Sequence, residues 1–427
     1  MFQPQPLQAN PTGAQVVNGV VSMVSPNSAN LTLNSGNGTA AGATSDAVLR
    51  NLSGAHNVTV TGLLLLSGGT QFSTAGILNQ GADTQSISGS NGISLTTIAG
   101  ANNTTSVLIQ NTPATQQTLI SSGGGLHLNN QGAGVLAVTS GGAQTVTSGF
   151  VNVMTSAGAT GDAVLSATGN QGIRTTNGTL TPTGSMRVAA LGTGTANIES
   201  GASQLIELDY PGQMQGLTVD GRLTIGDTAA AGKLRVGAVD QTVFAKSALV
   251  QTGGPGAGTQ SELKSSGKQV ISLLNGNLDV LGGSGNNSLA QIDPTDQTIL
   301  GNGAVNVTGG SGTNAVARII SQGTQTLWTT NGNINITGGS GAGSSASITA
   351  AGVQSLNSST PPPVLTPNVG GAFTVGAAAP STSTSLPSSS PTASVLALQE
   401  NQSGVIAGAE PEDQNETNPI RRAPICF

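Results

Sequence analysis

The residues with the clearest potential for catalysis are two carboxylates on one predicted strand. Glu207 and Asp209 are two positions apart and share a strand face with Leu205. Two carboxylates that meet over a sugar chain can serve as general acid and general base, and the ring of Tyr210 is suited to stacking on a sugar. The alternative, which we favour, is a solvated outer face on which Arg222 or Arg235 opposes the carboxylates and Tyr210 packs.

The rest of the charge that could assist such chemistry is concentrated between residues 199 and 268. This segment contains Glu199, Glu207, Asp209, Asp220, Arg222, Asp227, Lys233, Arg235, Asp240, Lys246, Glu262, Lys264 and Lys268. The two histidines, His56 and His127, and the single Cys426 do not form a cluster with metal-ligand spacing. We therefore expect no metal ion and no cofactor.

The elements that would position these residues are indicated by a periodic glutamine. The anchors have Val, Leu or Ile two positions later, and the last four spacings are 28, 28, 28 and 29 residues. The anchors are Gln15, His56 (in a glutamine position), Gln85, Gln117, Gln144, Gln171, Gln204, Gln241, Gln269, Gln297, Gln325 and Gln354. A fixed period of this length is typical of a chain built from stacked copies of one unit. We predict that the ten glutamines from Gln85 to Gln354 form a structural ladder.

The last three copies show the content of one unit: strand, corner, strand, loop and strand. An Asn-Gly corner, as in Asn302-Gly303, predicts a turn with positive φ. The middle strands alternate, with Leu278 and Val280 in one copy and their equivalents in the next. The third strands are expected to direct small and aliphatic side chains inward, namely Ser288, Ala290 and Ile292, then Ala315, Ala317 and Ile319, then Ser344, Ala346 and Ile348.

The unit predicts an all-β fold, a parallel β-helix of about 11 turns with three short strands in each turn of about 28 residues. We expect the right-handed form. An array of antiparallel sandwiches is the alternative, but the steady period disfavours it. We assign residues 1–14 to a flexible N-terminus, 15–357 to the repeat domain and 358–427 to a flexible tail, rich in Pro, Ser and Thr and then acidic.

Composition excludes several classes of partner. Charged residues make up 7% of the chain and the net charge is −6, with only 12 Lys and Arg. Nucleic acids and anionic membranes select clustered cations, so neither is expected as a partner. The longest apolar run, Leu63 to Leu66, is far below the roughly 20 residues of a spanning helix, and membrane insertion is not expected.

The repeated motifs resemble those of filamentous haemagglutinin-type exoproteins of two-partner secretion systems. The resemblance rests on turns such as Gly323-Thr324-Gln325-Thr326-Leu327 followed by the run from Asn331 to Gly341, and on a tail that ends in Pro424-Ile425-Cys426-Phe427. It implies a bacterial protein at the outer cell surface or outside the cell, exported through an outer-membrane pore. Ser25-Pro26-Asn27-Ser28 matches the Asn-Pro-Asn secretion motif of the family only in part. Some members of the family end in a pair of cysteines, whereas this chain has the single Cys426. We therefore expect a C-terminal fragment or a truncated relative.

Three functions remain open from the sequence. The first is a non-enzymatic scaffold or adhesin that binds a glycan or cell-surface receptor through outward Thr, Ser and Asn. The second is a structural fibre or surface-layer component, and the third is a polysaccharide-acting enzyme that uses Glu207 and Asp209. Because the ends of a solenoid expose unpaired strand groups, end-to-end self-association is expected under the first two.

Overall fold

A computed structural model of the chain describes residues 15–17, 21–25, 29–38, 44–176, 184–208, 221–252, 256–358, 364–366 and 372–377. Within these ranges the chain forms 37 β-strands and no helix. The strands belong to three sheets in which each strand pairs in parallel with the strands three places before and after it. The chain is therefore a parallel β-solenoid, as predicted.

Sheet A contains thirteen strands. They are Gln15–Val17 (β1), Ala47–Asn51 (β4), Ser73–Asn79 (β7), Thr105–Asn111 (β10), Val135–Ser140 (β13), Ala163–Ala167 (β16), Thr195–Ser200 (β19), Lys233–Ala238 (β22), Gln260–Ser265 (β25), Leu289–Asp293 (β28), Val316–Ser321 (β31), Ser345–Ala350 (β34) and Ala372–Ala377 (β37).

Sheet B contains twelve strands, and most of them begin at or just before a glutamine of the period. They are Val21–Ser25 (β2), His56–Val60 (β5), Gln85–Gly89 (β8), Gln117–Ser121 (β11), Gln144–Ser148 (β14), Gln171–Thr175 (β17), Ser203–Leu208 (β20), Asp240–Ala245 (β23), Lys268–Leu273 (β26), Asp296–Gly301 (β29), Gln325–Thr329 (β32) and Gln354–Ser358 (β35). The eleven steps between these strands agree with the predicted number of turns.

Sheet C also contains twelve strands. They are Leu31–Asn34 (β3), Leu63–Ser67 (β6), Gly92–Thr96 (β9), Leu126–Asn130 (β12), Val151–Thr155 (β15), Met186–Ala190 (β18), Arg222–Ile225 (β21), Ser247–Gln251 (β24), Leu278–Leu281 (β27), Val305–Thr308 (β30), Ile334–Thr337 (β33) and Val364–Thr366 (β36).

Alternating side chains from all three sheets fill one continuous core. The aliphatic residue two positions after each glutamine or His56 is buried from Val58 in β5 to Leu356 in β35. The predicted inward positions of the last three units are likewise buried, including Ser288, Ala317 and Ile348. Alternation fails at several outer positions of sheet A, among them Val48, Leu78, Ala137 and Gln291, which are buried as well.

The corners depart from the conformation that the Asn-Gly pairs predicted. Positive φ occurs in the loop between sheets C and A, at Asn287, Asn314 and Gly343 in successive turns, whereas none is found at the three predicted corners, Asn275-Gly276, Asn302-Gly303 and Asn331-Gly332. Gly303 is required there for a different reason. A Cβ on it would lie 2.3 Å from the carbonyl oxygen of Gly276 in the previous turn, so the corner backbones stack too closely for a side chain.

One predicted anchor of the period and one predicted boundary of the repeat region were wrong. Gln15 does not begin the glutamine ladder, because β1 belongs to sheet A and Gln15 pairs with Leu49; Val21 instead lies in register with His56. At the other end, β36 and β37 continue sheets C and A beyond residue 357. The remainder of the expected tail, 359–363, 367–371 and 378–427 with Cys426, lies outside the described residues.

Candidate functional site

Ten glutamine side chains form a single hydrogen-bonded column inside the solenoid. In-register pairing of the sheet B strands places each glutamine directly on the previous one. From Gln117 onward, each Nε2 donates to the Oε1 of the glutamine in the preceding turn, over distances of 2.5 to 3.0 Å. Nε2 of Gln85, the first of the column, donates to the backbone oxygen of Gln110 at 3.3 Å. The column consists of Gln85, Gln117, Gln144, Gln171, Gln204, Gln241, Gln269, Gln297, Gln325 and Gln354, all at most 6% exposed.

The repetition of one donor and one acceptor explains why glutamine suits this position. A buried amide costs free energy unless its polar atoms are bonded, and here each of the eight amides between Gln85 and Gln354 bonds to the one below and the one above. All nine bonds have the same direction, so the amide dipoles are aligned along the solenoid. Slippage of one turn by a residue would break the column, which therefore fixes the register between turns.

The column ends at His56, the residue below Gln85. His56 is 0% exposed, and neither ring nitrogen has a hydrogen-bond partner. Burial lowers the pKa of His56 from 6.5 to about 4, because the charged imidazolium is disfavoured away from water. The residue in register below, Val21, belongs to β2 and has no side-chain hydrogen-bonding group.

We expect His56→Gln to reduce the loss of stability of the protein in mild acid. In the wild type the unfolded chain binds a proton near pH 6.5 and the folded chain only near pH 4, so stability is complete above pH 6.5 and falls as the pH decreases to 4. This loss in the free energy of unfolding is at most about 3.5 kcal/mol. Urea denaturation between pH 7.5 and 4 measures it.

His127→Gln is the matched comparison for this measurement. Burial also lowers the pKa of His127, but its side chain faces outward from β12. An acid dependence that is unchanged in His56→Gln would contradict the assignment of the effect to the end of the column.

The structure places Glu207 in an ion pair with an arginine of the preceding turn. Its Oε2 lies 2.6 Å from Nη2 of Arg174, and Nε of Arg174 donates to the same oxygen at 2.8 Å. Glu207 shares the outer face of β20 with Leu205, as predicted. The predicted second carboxylate, Asp209, and Tyr210 both lie in 209–220, outside the described residues.

The predicted cationic partners of Glu207 were wrong. Arg235 lies in sheet A and pairs with Glu199 at 3.8 Å, and Arg222 begins β21 in sheet C. The pairing of Glu207 with Arg174 could have been predicted from the sequence. Arg174 and Glu207 each lie three positions after a column glutamine, so aligning the glutamines places one above the other.

Other charges of the same region also pair between turns. Arg187 pairs with Asp227, and Nζ of Lys264 lies 3.2 Å from Oδ2 of Asp293. These pairs are at least partly exposed to solvent. Such surface pairs contribute little to stability individually, but each neutralises one charge of the segment 199–268.

We expect Glu207→Gln to change the free energy of unfolding by less than about 1 kcal/mol, because the partner Arg174 is half-exposed and solvent screens the pair. Urea denaturation of this variant beside Arg174→Gln measures the effect. A loss above this range in either variant would show that the pair is more than a surface contact.

Asparagine and aspartate side chains form further contacts between turns that the sequence analysis missed. In sheet A, Nδ2 of Asn51 donates to Oδ1 of Asn79 at 3.2 Å, and Nδ2 of Asn79 donates to Oδ1 of Asn111 at 2.7 Å. All three are buried. Each lies five or six positions before His56, Gln85 or Gln117. Aligning the units on those three residues would have placed the asparagines in successive turns above one another.

Exposed aspartates satisfy backbone donors at the corner before sheet B. Oδ1 of Asp240 accepts a bond from the N–H of Lys268 at 2.8 Å. Oδ1 of Asp296 accepts from both N–H and Oγ1 of Thr324, each at 2.8 Å. The bond from the Thr324 backbone is the main reason that the pKa of Asp296 is lowered. These carboxylates therefore connect one turn to the next.

The described residues contain no group of three or more His, Cys, Asp and Glu that could hold a metal ion. Nor does this part of the chain contain a helix with the length and apolarity needed to cross a membrane. Comparison of the chain with protein-family models, curated proteins and solved structures gave no match in any of the three.

Proposed function

We propose that this protein is a non-enzymatic scaffold or adhesin that acts at the outer surface of a bacterium or outside the cell. The observation that carries the proposal is the hydrogen-bonded column of ten glutamines. A side chain repeated for contact between turns serves the stiffness of the solenoid. Eleven steps of about 4.8 Å give sheet B a length of roughly 50 Å.

The outer faces support a role in binding. Outward positions carry amide groups in rows, as in Asn306 and Asn335 on sheet C, where Nδ2 of Asn335 donates to Oδ1 of Asn306 at 2.7 Å. Regular rows of neutral hydrogen-bonding groups suit a glycan or cell-surface receptor. The resemblance to filamentous haemagglutinin-type exoproteins supports export through an outer-membrane secretion pore.

A binding and turnover experiment tests this function. The labelled full chain is expected to bind bacterial or host cells saturably, and to release no reducing or unsaturated sugar ends from a panel of polysaccharides. Release of sugar ends that is lost in Glu207→Gln would replace the proposal by a polysaccharide-acting enzyme. Absence of saturable binding to cells, to matrix and to the protein itself would also contradict it.

A structural fibre or surface-layer component is the second candidate, and the sheet edges favour it. Among the described strands, β35 ends sheet B with a partner on one side only, and β37 does the same for sheet A. Unpaired edges of this kind are sites of strand addition. Sedimentation velocity is expected to show end-to-end oligomers at high concentration, and a strict monomer would count against this candidate.

A further inference from the structure

The only tryptophan of the chain lies on the outside of the solenoid. Trp328 faces outward from β32 in sheet B and is 50% exposed. It is in register with Leu300 of β29, which is 37% exposed, and Leu300 is in register with Ser272 of β26. A large aromatic ring held on a flat sheet and left open to solvent is a feature of a binding surface.

Nine outward side chains over three turns, Trp328 among them, form what we call the Trp328 surface. They are Val270, Ser272 and Leu274 in the first turn, Thr298, Leu300 and Asn302 in the second, and Thr326, Trp328 and Thr330 in the third. None of the nine is ionisable. Hydroxyl and amide groups lie to either side of Leu300 and Trp328, and Oγ1 of Thr330 donates to Oδ1 of Asn302 at 2.9 Å.

The chemistry of this surface matches that of an uncharged sugar. A pyranose ring presents C–H groups on its face, which pack on an aromatic ring, and hydroxyl groups around its rim, which bond to Thr and Asn. Apolar contact combined with a few placed polar groups is the usual composition of a ligand site. We propose that the Trp328 surface binds a neutral glycan, with the indole of Trp328 as the platform for one sugar ring. This inference rests on the proposed adhesive function.

The dimensions of the surface favour a glycan over a second copy of the chain. Three strands about 4.8 Å apart and five positions about 3.4 Å apart cover roughly 200 Å². A stable protein–protein interface needs about 800 Å² from each partner. A flat area of this size accommodates a few sugar rings.

The margin of the surface gives no preference for an acidic polysaccharide. The ionisable residues beside it are two cations and two anions, with Asp240 and Lys246 in the turn below and Lys268 and Asp296 at the starts of β26 and β29. Their charges oppose one another. Selection among glycans is therefore expected to follow ring shape and linkage.

Intrinsic fluorescence tests the proposal directly, because Trp328 is the only indole in the protein. Hexamers of β-1,4-linked glucose, β-1,4-linked N-acetylglucosamine and α-1,4-linked glucose are titrated into the full chain, with oligogalacturonate as the acidic counterpart. At least one neutral hexamer is expected to shift or quench the emission saturably. No response to any neutral hexamer, or a stronger response to oligogalacturonate, would overturn the proposal.

Variants measured by calorimetry separate the ring from its surroundings. Trp328→Ala is expected to weaken binding at least about tenfold, as truncation of a central aromatic anchor does, while Trp328→Phe retains part of the affinity. Ile120→Ala is the matched control. Ile120 occupies the outward position of β11 that Trp328 occupies in β32, and it is 37% exposed, the same fraction as Leu300. Equal affinity in Trp328→Ala and Ile120→Ala would refute the assignment.

Two further results would overturn the proposed glycan site. A fluorescence shift that follows protein concentration without glycan, together with dimers in sedimentation, would assign the surface to a second copy and overturn the proposal. Saturable binding of Trp328→Ala to cells at wild-type affinity would also overturn the glycan site, yet it would leave the adhesive function standing.

Discussion

Gly310→Ala is expected to lower the free energy of unfolding by more than about 3 kcal/mol, or to prevent folding altogether. A Cβ at this position would lie 2.1 Å from the carbonyl oxygen of Gly283 and 2.7 Å from Cβ of Ala315. The nearest obstacle is backbone of the preceding turn, so it cannot move away as a flexible side chain would. Urea denaturation followed by circular dichroism measures the loss.

Gly172→Ala is the matched control for this result. Gly172 faces outward from β17, and a Cβ added there meets nothing within 4 Å. Its φ is not in the left-handed region, so alanine is expected to be neutral or slightly stabilising. Equal losses in the two variants would mean that glycine content in general, and not the stacking of Gly283 and Gly310, limits stability.

Gln204→Glu is expected to cost more than about 3 kcal/mol at pH 7, because it places an unpaired charge in the middle of the glutamine column. The Nε2 of Gln204 donates to Gln171 at 2.6 Å, and its Oε1 accepts from Gln241 at 2.6 Å. A carboxylate can accept from Gln241 but cannot donate to Gln171. Two oxygen atoms would then face each other in a buried position.

The loss of stability in Gln204→Glu should increase as the pH rises. Burial and the facing carbonyl raise the pKa of the introduced carboxyl above its ordinary value of about 4.3. Below that value the carboxyl is protonated in both states and can donate to Gln171, so the difference from the wild type is small. It increases as the pH rises from 4.3 to the folded-state pKa and is constant above it.

A substitution beside the column provides the control for the charge itself. Gln116 precedes Gln117 and is exposed, so Gln116→Glu is expected to change stability by no more than about 0.5 kcal/mol. If Gln204→Glu behaved like Gln116→Glu at pH 7, the column would not be the feature that stabilises contact between turns. The structural basis of the proposed scaffold would then be lost.

These two positions show why the interior tolerates less variation than the outer faces. Gly310 and Gln204 each contact their equivalents in neighbouring turns, so one substitution disturbs two interfaces in a stack where each unit is stabilised mainly by its neighbours. Outward residues such as Glu207 and Trp328 contact fewer groups. Recognition can therefore change on the outer faces while the solenoid is preserved.

The sequence by itself determined the fold and the column. The period of about 28 residues with a glutamine two positions before an aliphatic residue was sufficient to predict parallel stacking, because only in-register copies bring each amide onto the next. Alternation in the last three units also predicted the core, including Ile292 and Ile348. Side-chain direction in a strand is a local property with a period of two, so it can be read without knowing what lies opposite.

Only the tertiary structure decided which residues meet between turns of unequal length. Glu207 pairs with Arg174 and not with Arg222 or Arg235, Gln15 belongs to sheet A and not to the column, and the Asn-Gly corners depend on close stacking and not on positive φ. The Trp328 surface likewise exists because three turns place their outward residues side by side. Such contacts depend on how each corner and loop carries the chain to the next strand, which the residues of a single unit do not specify.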